Sequence, residues 1–279
     1  MMKEYFFLFA LAALATLFAI YEDLKKREVA NWLNFSLIAF GLSYRAFFSL
    51  RTSNFKFLLL GLLGTFSMYA LANILYYSKV FAGGDAKLLM GFGAIIPSTT
   101  IVQTFANSVV FVFILFLIGS VYGLFYTLII LKDNKKQFSK KIRKSFDKNN
   151  ILYFTLIILF VLGILFSLLL PFVIFVSFFS LIPFIYLYAR SIESCMIKVY
   201  PSNKLTEGDW IENDIKFKNH FVKKTVHGLS LQDIKLLQKY NVSVKVREGI
   251  PFTPAFLFAL GFMVSFYLVS GPALFSVFF

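Results

Sequence analysis

The sequence predicts an all-α polytopic membrane protein with about 6–8 transmembrane helices and a small cytoplasmic α+β module. Three observations lead there. The 279 residues are 59% apolar and only 15% charged, with a mean hydropathy of +0.76. A soluble domain is about 25% charged and 45–50% apolar, which sets a soluble globular reading aside. The charges are also clustered, leaving uncharged runs at 5–21, 57–78, 88–131, 149–189 and 249–279. Finally, the basic residues are unevenly placed between those runs. That asymmetry turns the net charge of +14 from a nucleic-acid signal into a topology signal.

A span takes roughly 20 apolar residues, so each of the two longest runs holds two. Eight candidate spans follow: 4–21, 32–50, 57–77, 86–97, 102–131, 150–169, 171–189 and 252–270. The fourth is short and ends at Pro97, so it need not cross fully. The stretch 97–104 is polar, uncharged and led by proline, as a tight turn between helices is. The break at Pro171 is weaker, and 150–189 is open to being one bent element. The basic cluster Lys25-Lys26-Arg27 directly after the first run holds a helix end in the cytoplasm, which favours an uncleaved span over a signal peptide.

Taking the segments after spans one, three, five and seven as one side places 24 of the 28 basic residues there. Lys3, Arg45, Arg51 and Lys56 remain for the other. The positive-inside rule then puts the N-terminus outside and the segments beginning at Glu22, Lys79 and Lys132 in the cytoplasm of a multi-pass plasma-membrane protein. The basic loop 132–148 reads as a solvated strip that also meets anionic headgroups. Only 190–249 has soluble composition. Gly208-Asp209-Trp210 reads as a turn, and Ser230 as the N-cap of an amphipathic helix reaching about Tyr240. Val242 to Val246 alternates as a strand does. The expected organisation is a membrane core over 1–189, a cytoplasmic α+β module over 190–249, and a C-terminal transmembrane helix within 250–279.

One cysteine, Cys195, excludes an intramolecular disulfide and a multi-cysteine metal site. His220 and His227 lie seven apart in the most polar stretch, where solvated surface histidines are the plainer reading, so no metal or cofactor is expected.

Ionisable residues at membrane depth are functional candidates by default. Between Glu28 and Asp133 the only acid is Asp85, in Ala82-Gly83-Gly84-Asp85-Ala86-Lys87. Its bland reading is a helix cap: Gly83 and Gly84 as a turn, Asp85 as cap, Lys87 reaching the headgroups. A second acidic cluster shifts that balance. Asp23 ends the first span on the same side, so two carboxylates lie at similar depth on helices that can be neighbours. With no Ser–His dyad or metal cluster in the membrane, the remaining hydrolytic machinery is an aspartyl pair. Two such groups a few ångströms apart share one proton. The ionised one activates water and the protonated one donates to the scissile carbonyl oxygen.

The two clusters resemble the motifs of the type IV prepilin peptidase family, membrane aspartyl proteases with a Gly-x-Gly-Asp signature. The similarity is greater to its archaeal branch, which includes the preflagellin peptidases. That family's Asp-x5-Ile-Pro-Asn pattern is matched by Asp23 through Val29-Ala30-Asn31, and Gly-x-Gly-Asp-x-Lys by Ala82 through Lys87. The segment from Leu205-Thr206-Glu207-Gly208 to Glu248-Gly249-Ile250-Pro251-Phe252 resembles a C-terminal module of some archaeal members. Ala82 and Ala30 depart from the patterns, standing for a glycine and a proline.

The resemblance implies an endopeptidase that removes short basic leaders (class III signal peptides) from prepilin or archaellin precursors at the cytoplasmic membrane face. Asp23 and Asp85 would be its dyad, Gly83 and Gly84 the motif backbone, and Lys87 a motif position that either snorkels or touches substrate. No methyltransferase activity is implied, since the cysteine-rich insertion of bacterial relatives is absent. Glu22 and Glu28 are candidate contacts for a basic leader, with Glu207, Asp209, Glu212 and Asp214 as further acids of such a patch. The partners implied are the precursor and the bilayer, without nucleic acid; the oligomeric state stays open.

Three other readings compete. A presenilin-like intramembrane protease also uses two aspartates, and Pro272-Ala273-Leu274 matches its third motif, although at the outer end of the last span. A transporter would use Asp85 as a proton or cation site, but would place it at mid-membrane. A catalytically dead assembly protein would account for Ala30 and Ala82, but not for two retained aspartates.

Overall fold

A computed structural model describes residues 4–271 apart from 168, 171, 219, 226 and 227. Pro272-Ala273-Leu274, His227 and Pro171 therefore lie outside the described residues. The chain forms two compact units, 1–124 with 250–279, and 125–249.

The first unit holds helices α1 (Glu4–Lys26), α2 (Asn31–Thr52), α3 (Lys56–Tyr77) and α4 (Gly83–Gly93). It also holds the first half of α5 (Ile101–Lys148) and, from the far end of the chain, α10 (Thr253–Ser270). Of these, α1, α2, α3, α5 and α10 are long and apolar enough to cross a membrane, as is α6 (Asn150–Ser167) of the second unit. Their outward faces are studded with exposed apolar side chains such as Phe7, Phe18, Phe40, Phe47 and Phe66. A soluble surface does not carry apolar cover on this scale, and the protein is a polytopic helical membrane protein.

The short candidate span at 86–97 is an eleven-residue helix, α4, below the length of a span. It packs between α2 and α3. Its contact with α3 is backbone to backbone: a Cβ on Gly93 would run into the carbonyl of Gly64, and one on Gly64 into that of Gly93. After Gly93 the chain leaves helical geometry while still buried, from Ala94 to Ser98. Non-helical backbone at this depth needs internal partners.

Arg45 supplies two of them from inside α2, where it is wholly buried rather than in a connecting segment. Its Nε donates to the Ala94 carbonyl at 2.7 Å, Nη2 to Ile96 at 2.8 Å and Nη1 to Phe57 at 3.0 Å. The guanidinium also lies 4.6 Å from the Phe57 ring centre and 5.2 Å from that of Tyr5. Asn107 donates to Pro97, and the Tyr5 hydroxyl donates to the Ser98 carbonyl.

The second unit holds the rest of α5, α6, α7 (Val173–Phe179), α8 (Ile182–Cys195) and the polar module. The expected basic loop 132–148 is instead helical, a continuation of α5 past a kink at Asn134. It has no glycine or proline, and lysine, arginine and glutamine are good helix formers. Arg143 and Asp147 also pair one turn apart at 3.8 Å. The expected span at 171–189 is two helices, because Pro183 near the α8 start cannot donate to the preceding turn.

In the module, β1 (Ile197–Tyr200) pairs antiparallel with β4 (Val244–Arg247), and β2 (Ile215–Phe217) with β3 (His220–Val222). Helix α9 (Leu231–Lys239) opens on Ser230 through a reciprocal capping box with Asp233, the N-cap read from sequence. Val244 and Val246 alternate inward, joining Leu205, Ile211, Val222, Leu229, Ile234 and Leu237 in a small core.

Candidate active site

Asp23 sits in the last turn of α1, where the helix closes against the start of α10. Its carboxylate is buried, at 7% exposure, although four of the five residues after it are exposed charges. The reason lies 230 residues away. Oδ2 of Asp23 accepts the Thr253 hydroxyl at 2.9 Å and the Thr253 amide at 3.2 Å. The Phe252 amide also bears on the carboxylate. These are the free N–H groups that every helix start leaves unpaired, here spent on a carboxylate. Thr253 is itself wholly buried.

Asp85 occupies the first turn of α4 and is part-buried. Three positions after the Ala82 N-cap, its carboxylate reaches back to the Ala82 amide. The structure brings the two acids together: each lies at the same end of the helical core, close enough for the charge of Asp23 to act on Asp85.

The motif glycines divide in use. A Cβ on Gly84 would sit 3.3 Å from the Val29 amide and side chain, so this position carries the close approach of α4 to the α1–α2 turn. A Cβ on Gly83 would meet only the edge of Tyr76, at 3.8 Å. Ala82 has ordinary extended geometry (φ −70°, ψ 162°), so no glycine is required there. Ala30, in the place of the proline, holds φ at −61°, the value a proline ring would impose. Its amide, which proline lacks, donates to Glu22 at 2.9 Å.

Lys87 turns back to Asn31, its Nζ donating to Oδ1 at 2.6 Å, so it ties α4 to the start of α2. Of the two candidate leader contacts, Glu22 is engaged with the Ala30 amide, and Glu28 is exposed. Of the module acids, Glu207 is exposed and the other three are tied within their own unit. Glu212 accepts Arg247 at 2.6 Å, Asp214 the Lys224 amide and Asp209 the Thr206 amide. Burial raises the Asp209 carboxyl above its ordinary value.

Among the described residues no group of histidine, cysteine, aspartate and glutamate is arranged to hold a metal. Thr253 is the site residue that sequence reading passed over. No spacing links it to Asp23, and its one local signal is its place at the start of the last apolar run, directly before Pro254.

Fold and site together define a membrane protein with a polytopic helical core and two acidic residues, Asp23 and Asp85, towards one end of it. Residues 8–128, which contain both aspartates, match the Type IV leader peptidase family. Over 89 residues the chain is 33% identical to a preflagellin peptidase of Methanocaldococcus jannaschii, and over 90 residues 30% identical to one of Methanococcus voltae. A preflagellin peptidase of Methanococcus maripaludis is 26% identical over 89 residues. Each match covers 32% of this chain and 38% of the relative. No solved structure matches the chain.

Proposed function

We propose that this protein is a membrane aspartic endopeptidase that removes the short basic leader from prepilin or archaellin precursors. The observation that carries this reading is the meeting of Asp23 and Asp85 at one end of a helical core that matches a leader peptidase family.

The chemistry follows from the pair. The carboxylate that is ionised takes a proton from water as the water oxygen bonds to the scissile carbonyl carbon. The other carboxyl gives its proton to the carbonyl oxygen. When the tetrahedral intermediate collapses, the C–N bond breaks, the new amine takes the proton held by the first carboxylate, and the second recovers its own. The site lies at the cytoplasmic membrane face, where water and the junction between leader and apolar helix are both within reach. The neighbouring Glu28, exposed beside the α1–α2 turn, gives a basic leader a negative contact, whereas Glu22 serves the turn itself.

The test is cleavage of an epitope-tagged pilin-like or archaellin precursor in membranes carrying the wild type, Asp23→Asn or Asp85→Asn. The wild type should shorten the precursor by the leader, and each variant should lose at least about 10³-fold in rate, the order of effect when a group essential to acid–base chemistry is removed. Normal cleavage by either variant would take that aspartate out of the mechanism. Cleavage inside the apolar helix rather than at its edge would favour an intramembrane protease instead.

A further inference from the structure

Resting on the aspartic peptidase reading, we propose that the start of α10 divides the work of the dyad. Asp23 is the ionised general base, Asp85 holds the shared proton, and Thr253 is the positioning residue that fixes this order.

The argument begins with what each carboxylate touches. Oδ2 of Asp23 faces a backbone amide, at 3.2 Å from Thr253, and an amide can only donate. That oxygen is therefore an acceptor and cannot carry the proton towards Thr253. The Thr253 hydroxyl, 2.9 Å from the same oxygen, adds a second donor, and the Phe252 amide bears on the group as well. Hydrogen bonds given to a carboxylate favour its charged form. Among the described residues, the donor that bears on the Asp85 carboxylate for the same purpose is the backbone amide of Ala82. Among the described residues, the ionisable groups that bear on the pair are Arg27, just past the end of α1, whose positive charge favours a charged Asp23, and Asp85 in α4. With one proton between the two acids, the donors place it on Asp85. Asp23 keeps Oδ1 for the water, because Oδ2 is occupied.

A carboxylate held at one oxygen by a hydroxyl and an amide of the same residue also has a fixed plane. Thr253 therefore orients the base as well as keeping it ionised. Helix α10 becomes part of the catalytic apparatus, although it lies outside the segment that matches the leader peptidase family.

The experiment uses the full chain in vesicles with the tagged precursor. It compares the pH dependence of kcat/KM for the wild type, Thr253→Val and Thr253→Ser. Valine keeps the shape and removes the hydroxyl; serine restores it. The expected result is an acidic limb displaced by about one pH unit to higher pH in Thr253→Val, the size of one lost hydrogen bond to a charged group. KM should stay unchanged, and Thr253→Ser should return the limb to its wild-type position. An unshifted limb, or a rate reduced equally at every pH, would overturn the assignment. If Thr253→Val fails to accumulate in the membrane, Thr253→Ala supplies the same comparison. Asp23→Asn, run alongside, separates the two claims. A cleaving Asp23→Asn sinks the dyad itself, whereas an inactive Asp23→Asn with an unshifted Thr253→Val sinks only the division of roles.

Discussion

Arg45 is a full positive charge placed where no water reaches it, and its partners are three backbone carbonyls. The planar fork of guanidinium serves Ala94 and Ile96 at once while its face lies on Phe57 and Tyr5, which an ammonium on a flexible stem cannot reproduce. We expect Arg45→Lys to leave at least one buried carbonyl unpaired and to cost about 3 kcal/mol, at the upper end for an unmet buried hydrogen bond. A lowered thermal transition of the detergent-solubilised protein would report it; an unchanged transition would show that the carbonyls find other partners. In the sequence this arginine looks like one more basic residue outside the clusters. Its role depends on three carbonyls that become its neighbours only on folding. Asp85 was legible from sequence because a lone acid among apolar runs is conspicuous. Thr253 was not, because its partner is at the other end of the chain.

Helix α4 shows how a short element aims a side chain. Gly93 against Gly64 brings α3 and α4 to backbone contact, Gly84 brings α4 onto Val29, and Arg45 receives the chain beyond Gly93. Together these fix both ends of an eleven-residue helix, and with it the position of Asp85 in its first turn. A methyl at Gly93 meets backbone rather than a movable side chain, with Thr65 Cα only 2.6 Å away. Gly93→Ala should therefore separate the two helices, costing about 1–3 kcal/mol from overpacking and reducing precursor cleavage. Gly123→Ala is the control, since a Cβ there meets nothing within 4 Å. Equal stability and activity in both variants would remove the close packing from the account. The Gly-Gly-Asp motif was readable, but the sequence did not distinguish the glycine that packs from the one that has room. Nor did it show that 132–148 is helical, since a run of charges reads as a loop until helix propensity is weighed against it.

At the scale of the whole molecule, the distribution of charge predicts which way the core faces. The basic residues concentrate on one side of the candidate spans, and the positive-inside rule predicts that this side, with Asp23, Asp85 and the 132–148 segment, faces the cytoplasm. In a Cys195→Ser background, a cysteine at Ser139 should react with an impermeant maleimide only after the cells are opened. One at Asn54, between α2 and α3, should react in intact cells. The reverse pattern would invert the topology and place the dyad on the wrong side for an unprocessed precursor.

The sequence by itself determined the environment and the chemical candidates. Long uncharged runs have no stable place in water, and a lone acid between two of them, Asp85, stands out as a chemical candidate beside Asp23 at the end of another. It also determined the local signals that act over a few residues, such as the Ser230 cap and the alternation of Val244 and Val246. Only the tertiary structure decided how far each apolar run extends as a helix, what holds the buried break after Gly93, and which donors meet Asp23. Those outcomes depend on carbonyls, amides and one hydroxyl that lie far apart in the chain. Apolar patterning sets the environment a segment prefers, but the partner of a buried polar group is chosen only when the helices pack.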